Sequence, residues 1–252
     1  MGLGTDGKAA RVSGRRPYFR HLNERESMTI DAKKRREIRA RYLKVDTANV
    51  ADVMDTMGLM DQSLAPEFRQ FTGNERLAGW AFTIRGQMVP GPLGGDEQKM
   101  QACQQVSEDE VTVWSGDGKG VCYFGELIAL GMRERGAVGA LIDGGIRDIH
   151  WLDAMNFPIF AKYRTPTQSI GRWRVTGFRE TVYLAGATSL LVSISPGDFI
   201  LADADGAIVI PAQHVEEVLI EAERLTAQEV QLRAELGKGL TLSDALAKYG
   251  HV

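Results

Sequence analysis

The chain has 252 residues, of which 44% are hydrophobic and 25% charged, and its formal net charge is −3. This composition is typical of a soluble globular protein with one domain and extensions, or at most two small domains. No apolar run is long enough to span a bilayer and the N-terminus lacks an apolar signal core, which predicts a cytoplasmic protein without a membrane segment. The cysteines are Cys103 and Cys122 alone, so a disulfide framework is not expected.

The N-terminal segment differs in charge from the rest of the chain. Residues 1–41 carry twelve Lys or Arg and five Asp or Glu, a local net charge of +7. Residues 1–27 are rich in Gly and Arg without apolar periodicity, which predicts a disordered basic arm before a single domain over residues 28–252. A basic arm could contact nucleic acid, but nothing in it resembles a folded nucleic-acid motif, so a nucleic-acid partner is not expected.

The first half of the domain alternates between helical and strand patterns. Helical spacing and capping residues predict helices over 31–43, 46–58 and 96–106, with Asp96 as the cap of the last. Apolar runs predict strands over 77–84 and 110–114. The segment 89–95 is too rich in Gly and Pro to continue any element, and we expect a loop there.

The stretch from Gly125 to Asp148 is the strongest candidate for a site. Gly125 opens a predicted helix, an apolar strand follows over 137–142, and a break is expected at 143–145. Ligands of α/β proteins bind where strands end, and here the strand leads to Arg147 and Asp148. Asp148 offers a hard oxygen ligand and Arg147 a fork for a carboxylate. The alternative is an ordinary helix start, in which Asp148 is a first-turn acid and Arg147 a solvated neighbour.

The second half of the domain predicts short strands followed by helices. We expect a strand over 157–163, then strands over 182–184, 190–193, 199–202 and 207–210, a helix over 212–236 and a final helix that ends near Tyr249. Arginines in the segment 164–179 could receive a distal carboxylate of a substrate, and these are Arg164, Arg172, Arg174 and Arg179. Because strands and helices interleave without a strict βαβ repeat, the sequence predicts a layered α/β sandwich.

The spacing of the charged residues resembles that of a known family. Glu126, the twenty residues 127–146 and Arg147-Asp148 are similar to the motif of metal-dependent pyruvate aldolases of the 4-hydroxy-4-methyl-2-oxoglutarate aldolase type. These enzymes share a superfamily with the regulator of ribonuclease activity A. The segments 196–198 and 202–206 resemble the second signature of the family. The family usually has Asp where this chain has Glu126.

The resemblance implies a fold, a reaction and roles for residues. The implied fold is the ribonuclease-regulator-A-like, swivelling β/β/α sandwich, and the implied reaction cleaves a 4-hydroxy-2-oxo acid to pyruvate, with oxaloacetate decarboxylation as a further activity. Mg²⁺ or Mn²⁺ would bind Asp148, Arg147 would neutralise the enolate, and Glu126 would orient a water that acts as acid or base. The substrate carboxylate would lie on Gly125, Glu126 and the amides of Leu127 and Ile128. The resemblance also implies a homotrimer or homohexamer with sites between subunits, where an acid on a neighbour's C-terminal helix could complete the metal shell.

Two alternatives remain open at this point. One is a Schiff-base aldolase that uses a lysine such as Lys162 at a strand end. The other is a non-catalytic binding protein like the ribonuclease regulators, because a fold by itself does not decide function. Loss of activity in EDTA would favour the metal-dependent enzyme over both.

Overall fold

A computed structural model of the chain describes residues 1, 31–73, 76–116 and 118–250. The secondary-structure elements from Ala32 to Tyr249 belong to one compact unit. Apart from Met1, the basic arm predicted over residues 1–27 lies outside the described residues, so that interpretation stays a prediction. No helix in the described ranges is both long enough and apolar enough to cross a membrane.

The helices follow the order expected from the sequence, which includes a short helix after Asp148. They are α1 (Ala32–Tyr42), α2 (Thr47–Thr56), α3 (Glu97–Gln104), α4 (Glu126–Arg133), α5 (Ile149–Ala154), α6 (Val215–Leu236) and α7 (Leu242–Tyr249). Asp96 caps α3 as predicted, because its Oδ1 accepts a 3.0 Å hydrogen bond from Lys99 N–H. The helix predicted over 212–236 begins as a 3-10 turn, Ala212–His214, and becomes α-helical at Val215.

The strands form one large sheet and one small hairpin. They are β1 (Arg69–Thr72), β2 (Leu77–Met88), β3 (Glu110–Ser115), β4 (Cys122–Phe124), β5 (Ala137–Ile146), β6 (Ile159–Arg164), β7 (Trp173–Phe178), β8 (Val182–Ala185), β9 (Leu191–Ile194), β10 (Phe199–Asp203) and β11 (Gly206–Ile210). The large sheet has the order β1-β6-β5-β3-β2-β10-β11, with β4 paired to β5 and β7 paired to β2. Strands β2, β3, β5 and β6 are parallel neighbours in its centre, while β8 and β9 form the separate hairpin.

The large sheet separates two apolar cores. Trp114 of β3 lies on the face covered by helices, in the same cluster as Ala102 of α3. Its neighbour Val113 and Leu141 of β5 point to the other face and pack in a cluster with Leu184 of β8. Strands buried on both faces are typical of the parallel centre of an α/β sheet. The layers therefore lie in the order hairpin, large sheet and helices, and this arrangement confirms the predicted layered α/β sandwich.

One predicted break is wrong. The segment 143–145 was expected to interrupt the strand, but β5 runs through it. A Cβ atom on Gly144 would overlap the Tyr123 hydroxyl, and one on Gly145 would lie 2.5 Å from the Tyr163 ring. The two glycines therefore let tyrosine rings pack directly on the strand, and neither has a positive φ. Strands β1, β4 and β7 were not predicted.

Candidate active site

Two parallel strands end side by side where the charged residues lie. Strand β4 pairs with β5 so that Phe124 is opposite Ile146. The chain therefore leaves β4 into Gly125-Glu126 and leaves β5 into Arg147-Asp148 at the same edge of the sheet. The twenty intervening residues are α4, its turn and β5. Both halves of the predicted motif thus come together in space.

Asp148 is fixed by contacts to its own neighbours. Its backbone is left-handed, with φ 62° and ψ 35°, a conformation that is uncommon outside glycine. Oδ2 accepts a 3.2 Å hydrogen bond from Glu126 N–H and lies 3.4 Å from Arg147 Nε. The side chain is 38% exposed. Because both of these contacts with described residues fall on Oδ2, Oδ1 is available to a ligand as far as the described part of the chain shows.

Gly125 leaves the space in which the carboxylate of Asp148 and the side chain of Arg147 approach the first turn of α4. A Cβ atom at this position would lie 2.5 Å from Asp148 Oδ2 and 3.3 Å from Arg147 Cγ. Real Cβ atoms do not tolerate the shorter distance, so a larger residue would push the carboxylate away from the first turn of α4. The backbone of Gly125 is extended, with φ −152°. Glycine is needed here for space and not for an unusual backbone conformation.

The charged residues open onto a cavity of about 250 Å³. Of the residues selected from the sequence, its wall includes Gly125, Leu127, Ile128, Arg147 and Asp148. The Glu126 side chain is not part of the wall that the described residues form. Glu126 contributes to the site through its backbone N–H, which donates a hydrogen bond to the carboxylate of Asp148. The rest of the wall comes from the loop before α3, from α3 itself, from the three residues of β4, and from residues 168–171, 173 and 174.

The wall carries both basic and acidic side chains. Lys99, Arg147 and Arg174 line the cavity together with the acids Asp96 and Asp148. The Asp96 carboxylate is occupied, because it accepts hydrogen bonds from Lys99 N–H and from the backbone N–H of β7 at 2.9 Å. This leaves Asp148 as the wall's available carboxylate among the described residues. Arg147 and Arg174 are the permanent positive charges of the wall, and they attract anionic ligands.

Lys99 was not predicted from the sequence as a site residue. Only 9% of its surface is exposed, and its Nζ donates a 2.5 Å hydrogen bond to Tyr123 O. Burial lowers the pKa of the Lys99 amine. A signal was present in the sequence, since Lys99 and the buried Ala102 are three residues apart and so share one face of α3.

Other basic residues have structural partners. Lys162, the lysine considered for a Schiff base, forms a 2.5 Å ion pair with Asp143 and does not line the cavity. Arg179 donates a 2.9 Å hydrogen bond to Gln105 O. Arg164 lies in a second, more open depression that Arg147 and Asp148 also line. Of the arginines in the segment 164–179, Arg174 is the one on the cavity wall.

The donor set fits a largely hydrated hard cation. In the part of the chain that the structure describes, no group of three or more His, Cys, Asp or Glu side chains could hold a metal ion. A zinc site needs about three such ligands, whereas Mg²⁺ accepts one or two carboxylates and keeps several waters. Asp148 with its available Oδ1 therefore fits Mg²⁺ or Mn²⁺ and does not fit a structural zinc ion.

Comparison with known proteins places the chain in a family. Residues 47–209 match the family model RraA-like, described as Aldolase/RraA. Over 192 residues the chain is 29% identical to the "Putative 4-hydroxy-4-methyl-2-oxoglutarate aldolase" of Halalkalibacterium halodurans, which covers 75% of this chain and 83% of that protein. Over 214 residues it is 25% identical to Protein DlpA of Legionella pneumophila subsp. pneumophila, which covers 82% of this chain and 33% of that longer protein.

The fold agrees with this match. The crystal structure of Streptomyces coelicolor RraAS2, described as an unusual member of the RNase ES inhibitor RraA protein family, superposes with a TM-score of 0.67 and 22% identity. The match covers 78% of this chain and 96% of that chain, and at this identity the likeness concerns the fold alone. Because the family model spans most of the domain and the resemblance read from Glu126 and Arg147-Asp148 agrees with it, this chain belongs to the RraA-like family of aldolases and RraA proteins.

Proposed function

We propose that the protein is a divalent-metal-dependent lyase that cleaves a 4-hydroxy-2-oxo acid into pyruvate and a carbonyl fragment, with oxaloacetate decarboxylation as a second reaction. The observation that carries this proposal is the position of Arg147 and Asp148, which lie on the cavity beside the first turn of α4. Membership in a family that includes aldolases and the similarity to the aldolase-named relative support it.

The first turn of α4 binds the carboxylate of the 2-oxo acid. The N–H groups of Leu127 and Ile128 have no acceptor inside the helix, because they belong to its first turn. Both residues line the cavity, and a helix start is a favourable place for an anion. Glu126 N–H is already used by Asp148, so the two following amides are the ones that receive the substrate.

Arg147 stabilises the negative charge that develops when the carbon–carbon bond breaks. Its backbone N–H donates a 3.1 Å hydrogen bond to Phe124 O, and its Nε lies 3.4 Å from Asp148 Oδ2. These contacts hold the start of the side chain, while 43% of it remains exposed for a ligand. A guanidinium held in this way can donate in a fork to the keto oxygen and the carboxylate of the 2-oxo acid.

Asp148 holds the divalent cation. Mg²⁺ or Mn²⁺, when bound, supplies a Lewis acid for the keto oxygen of the substrate. Asp148 keeps its carboxylate in place through Glu126 N–H, so one oxygen is oriented by the protein and the other is free to bind. The fit of a single carboxylate to a hydrated hard cation supports this assignment.

The active protein is a homotrimer or homohexamer in this proposal. Apolar side chains are exposed close to the cavity, with Leu127 77% and Trp151 63% exposed. Leu127 itself lines the cavity, and in this proposal both side chains belong to an apolar surface that a neighbouring subunit covers. A neighbouring subunit at this position would cover the mouth of the cavity and could add an acid to the metal shell.

A substrate screen tests the function. The purified protein is incubated with 4-hydroxy-2-oxo acids and with oxaloacetate, in Mg²⁺, in Mn²⁺ and in EDTA, and pyruvate is measured. We expect pyruvate with added metal and none above background in EDTA. Full turnover without metal would contradict the mechanism. Absence of turnover with every substrate and metal would instead favour a non-catalytic binding protein of the ribonuclease-regulator type.

A further inference from the structure

The cavity contains an ionisable group that the proposed reaction has not yet used, the amine of Lys99. This side chain is almost fully buried, with 9% of its surface exposed. None of the described acids forms an ion pair with it, and its Nζ donates to the backbone carbonyl Tyr123 O. A buried ammonium without a counter-charge is costly. The amine is therefore placed to give up its proton at the cavity wall.

The groups around Lys99 shift the pKa of its amine in both directions. Burial has the largest effect and lowers the pKa of the amine, and the positive charge of Arg147 acts in the same direction. Asp96 acts in the opposite direction, as the thiolates of Cys103 and Cys122 would, but burial raises the pKa of both thiols, that of Cys103 to about 11.

Aromatic rings stabilise the charged form of the same amine. Nζ lies 5.5 Å from the centroid of the Trp114 ring and 5.9 Å from that of the Trp173 ring. The hydrogen bond to Tyr123 O can be made by either form, since a neutral amine keeps two N–H groups. A group whose charged and neutral forms are both accommodated at the cavity wall is suited to acid–base catalysis.

Glu126 is less well placed for this task. The family resemblance gives it the proton-transfer step, but the cavity wall includes Lys99 and not the Glu126 side chain. Glu126 instead contributes its backbone N–H to Asp148. Lys99 comes from α3, and residues of α3 and α4 line the cavity together with Arg147.

We propose that Lys99 is the proton-transfer residue of this lyase, an assignment that rests on the proposed function. The neutral amine takes the proton of the C4 hydroxyl as the C3–C4 bond breaks. The bonding pair moves into the enolate, and the carbonyl fragment leaves. The ammonium then gives the same proton to C3, which yields pyruvate and restores the neutral amine, so the cycle needs no other reactant.

Two substitutions separate proton transfer from charge. Lys99→Met removes the amine and keeps an unbranched apolar chain, while Lys99→Arg keeps a positive charge that cannot be released. With a hydroxy-oxo acid that the wild type cleaves, we expect both variants to lose about 10²–10⁴-fold in kcat. Exchange of the pyruvate methyl protons in D₂O, followed by NMR, should slow in parallel. Lys238→Met, an exposed lysine beyond α6, is the matched control and should behave like the wild type.

A measurement on the resting protein does not depend on turnover. The protein is labelled with ¹³C at lysine Cε, and the Lys99 signal is identified by its absence from the NMR spectrum of Lys99→Arg. The chemical shift of this signal is then followed against pH. We expect the Lys99 midpoint to lie below those of the exposed lysines. Circular dichroism checks that each variant is folded, and Lys99→Gln replaces Lys99→Met if the latter is not.

The outcomes distinguish the two proposals. If the wild type neither forms pyruvate nor exchanges its methyl protons, the proposed function fails and the role of Lys99 fails with it. If the wild type is active and Lys99→Arg retains kcat within a few-fold, the lysine acts at most through its charge and the proton-transfer role alone is wrong. A Lys99 midpoint equal to that of exposed lysines would also overturn it.

Discussion

The backbone N–H of Glu126 donates a 3.2 Å hydrogen bond to Asp148 Oδ2, and this contact joins the two halves of the sequence motif. The acid at 126 was singled out for its carboxylate, yet the described contact is made by its peptide group. Any residue other than proline could supply that donor. The position of Asp148 therefore depends on where α4 begins, and hence on Gly125.

The first prediction concerns Gly125. In Gly125→Ala the new Cβ would lie 2.5 Å from Asp148 Oδ2, so the carboxylate has to move. A displacement of about 1 Å in a catalytic group can cost roughly 10²-fold in rate, and we expect a loss of that order in kcat/KM. The control is Gly131→Ala in the same helix, where a Cβ meets nothing within 4 Å. Gly131→Ala should keep its activity and gain about 0.4–1 kcal/mol in stability.

The second prediction concerns the charge of Asp148. Asp148→Asn keeps the size of the side chain, and asparagine tolerates the left-handed backbone, but the negative charge is lost. We expect weaker Mn²⁺ binding by calorimetry and a fall in turnover of about 10²–10³-fold at low metal. Asp55→Asn, on an exposed position of α2, should change neither. Unchanged Mn²⁺ affinity in Asp148→Asn would remove this residue from the metal site.

The third prediction separates the shape of Arg147 from its charge. Arg147→Lys keeps the positive charge and loses the planar fork, so we expect a fall in kcat of about 10²-fold with a smaller change in KM. Arg135→Lys, at an exposed position after α4, is the matched control. Wild-type kcat in Arg147→Lys would mean that charge alone suffices at this position.

Much of the site was predictable because its signals are local. Gly125 before a helix and Arg147-Asp148 after an apolar run mark the ends of elements, and their spacing fits one helix and one strand. Lys99 was missed because its burial depends on strands β4 and β7, since β4 has only three residues and β7 alternates over Trp173–Thr176 only, too short a run to predict a strand. Its importance comes from packing between segments that are distant in sequence.

Two acids of the second family signature show the same limit of prediction from sequence. Asp198 accepts hydrogen bonds from the backbone N–H groups of Ser195 and Ala212, at 2.7 and 2.9 Å. Asp203 accepts from Thr47 N–H at 2.9 Å and so caps α2 from another part of the chain. The sequence shows that acids stand at these turns. Only the packed structure shows that they hold the fold together and do not line the cavity.

The fourth prediction concerns the segment before Met28. Removal of residues 1–27 should leave kcat and KM within a few-fold of the full chain, because that segment has neither apolar periodicity nor a set of metal ligands. Both forms are compared by pyruvate release and by thermal unfolding. A truncated protein that unfolds or loses turnover would show that the segment belongs to the folded domain.

The last prediction concerns stability and pH at Lys99. Burial lowers the pKa of this amine in the folded protein below the ordinary value of 10.5, which applies to the unfolded chain. At a pH between the folded pKa and 10.5, the unfolded chain therefore binds a proton that the folded chain does not. The free energy of unfolding therefore rises with pH between the folded pKa and 10.5. It is highest above 10.5, where the amine is neutral in both states. It is lowest below the folded pKa, where the folded protein has to hold the ammonium in a buried position. Lys99→Met lacks this term. We expect the stability of Lys99→Met relative to the wild type to be greatest at about pH 6 and to shrink toward about pH 10 in urea unfolding. A difference that stays constant with pH would show that the amine keeps its ordinary pKa in the folded protein, whereas a difference that grows with pH would show that the folded state favours the ammonium.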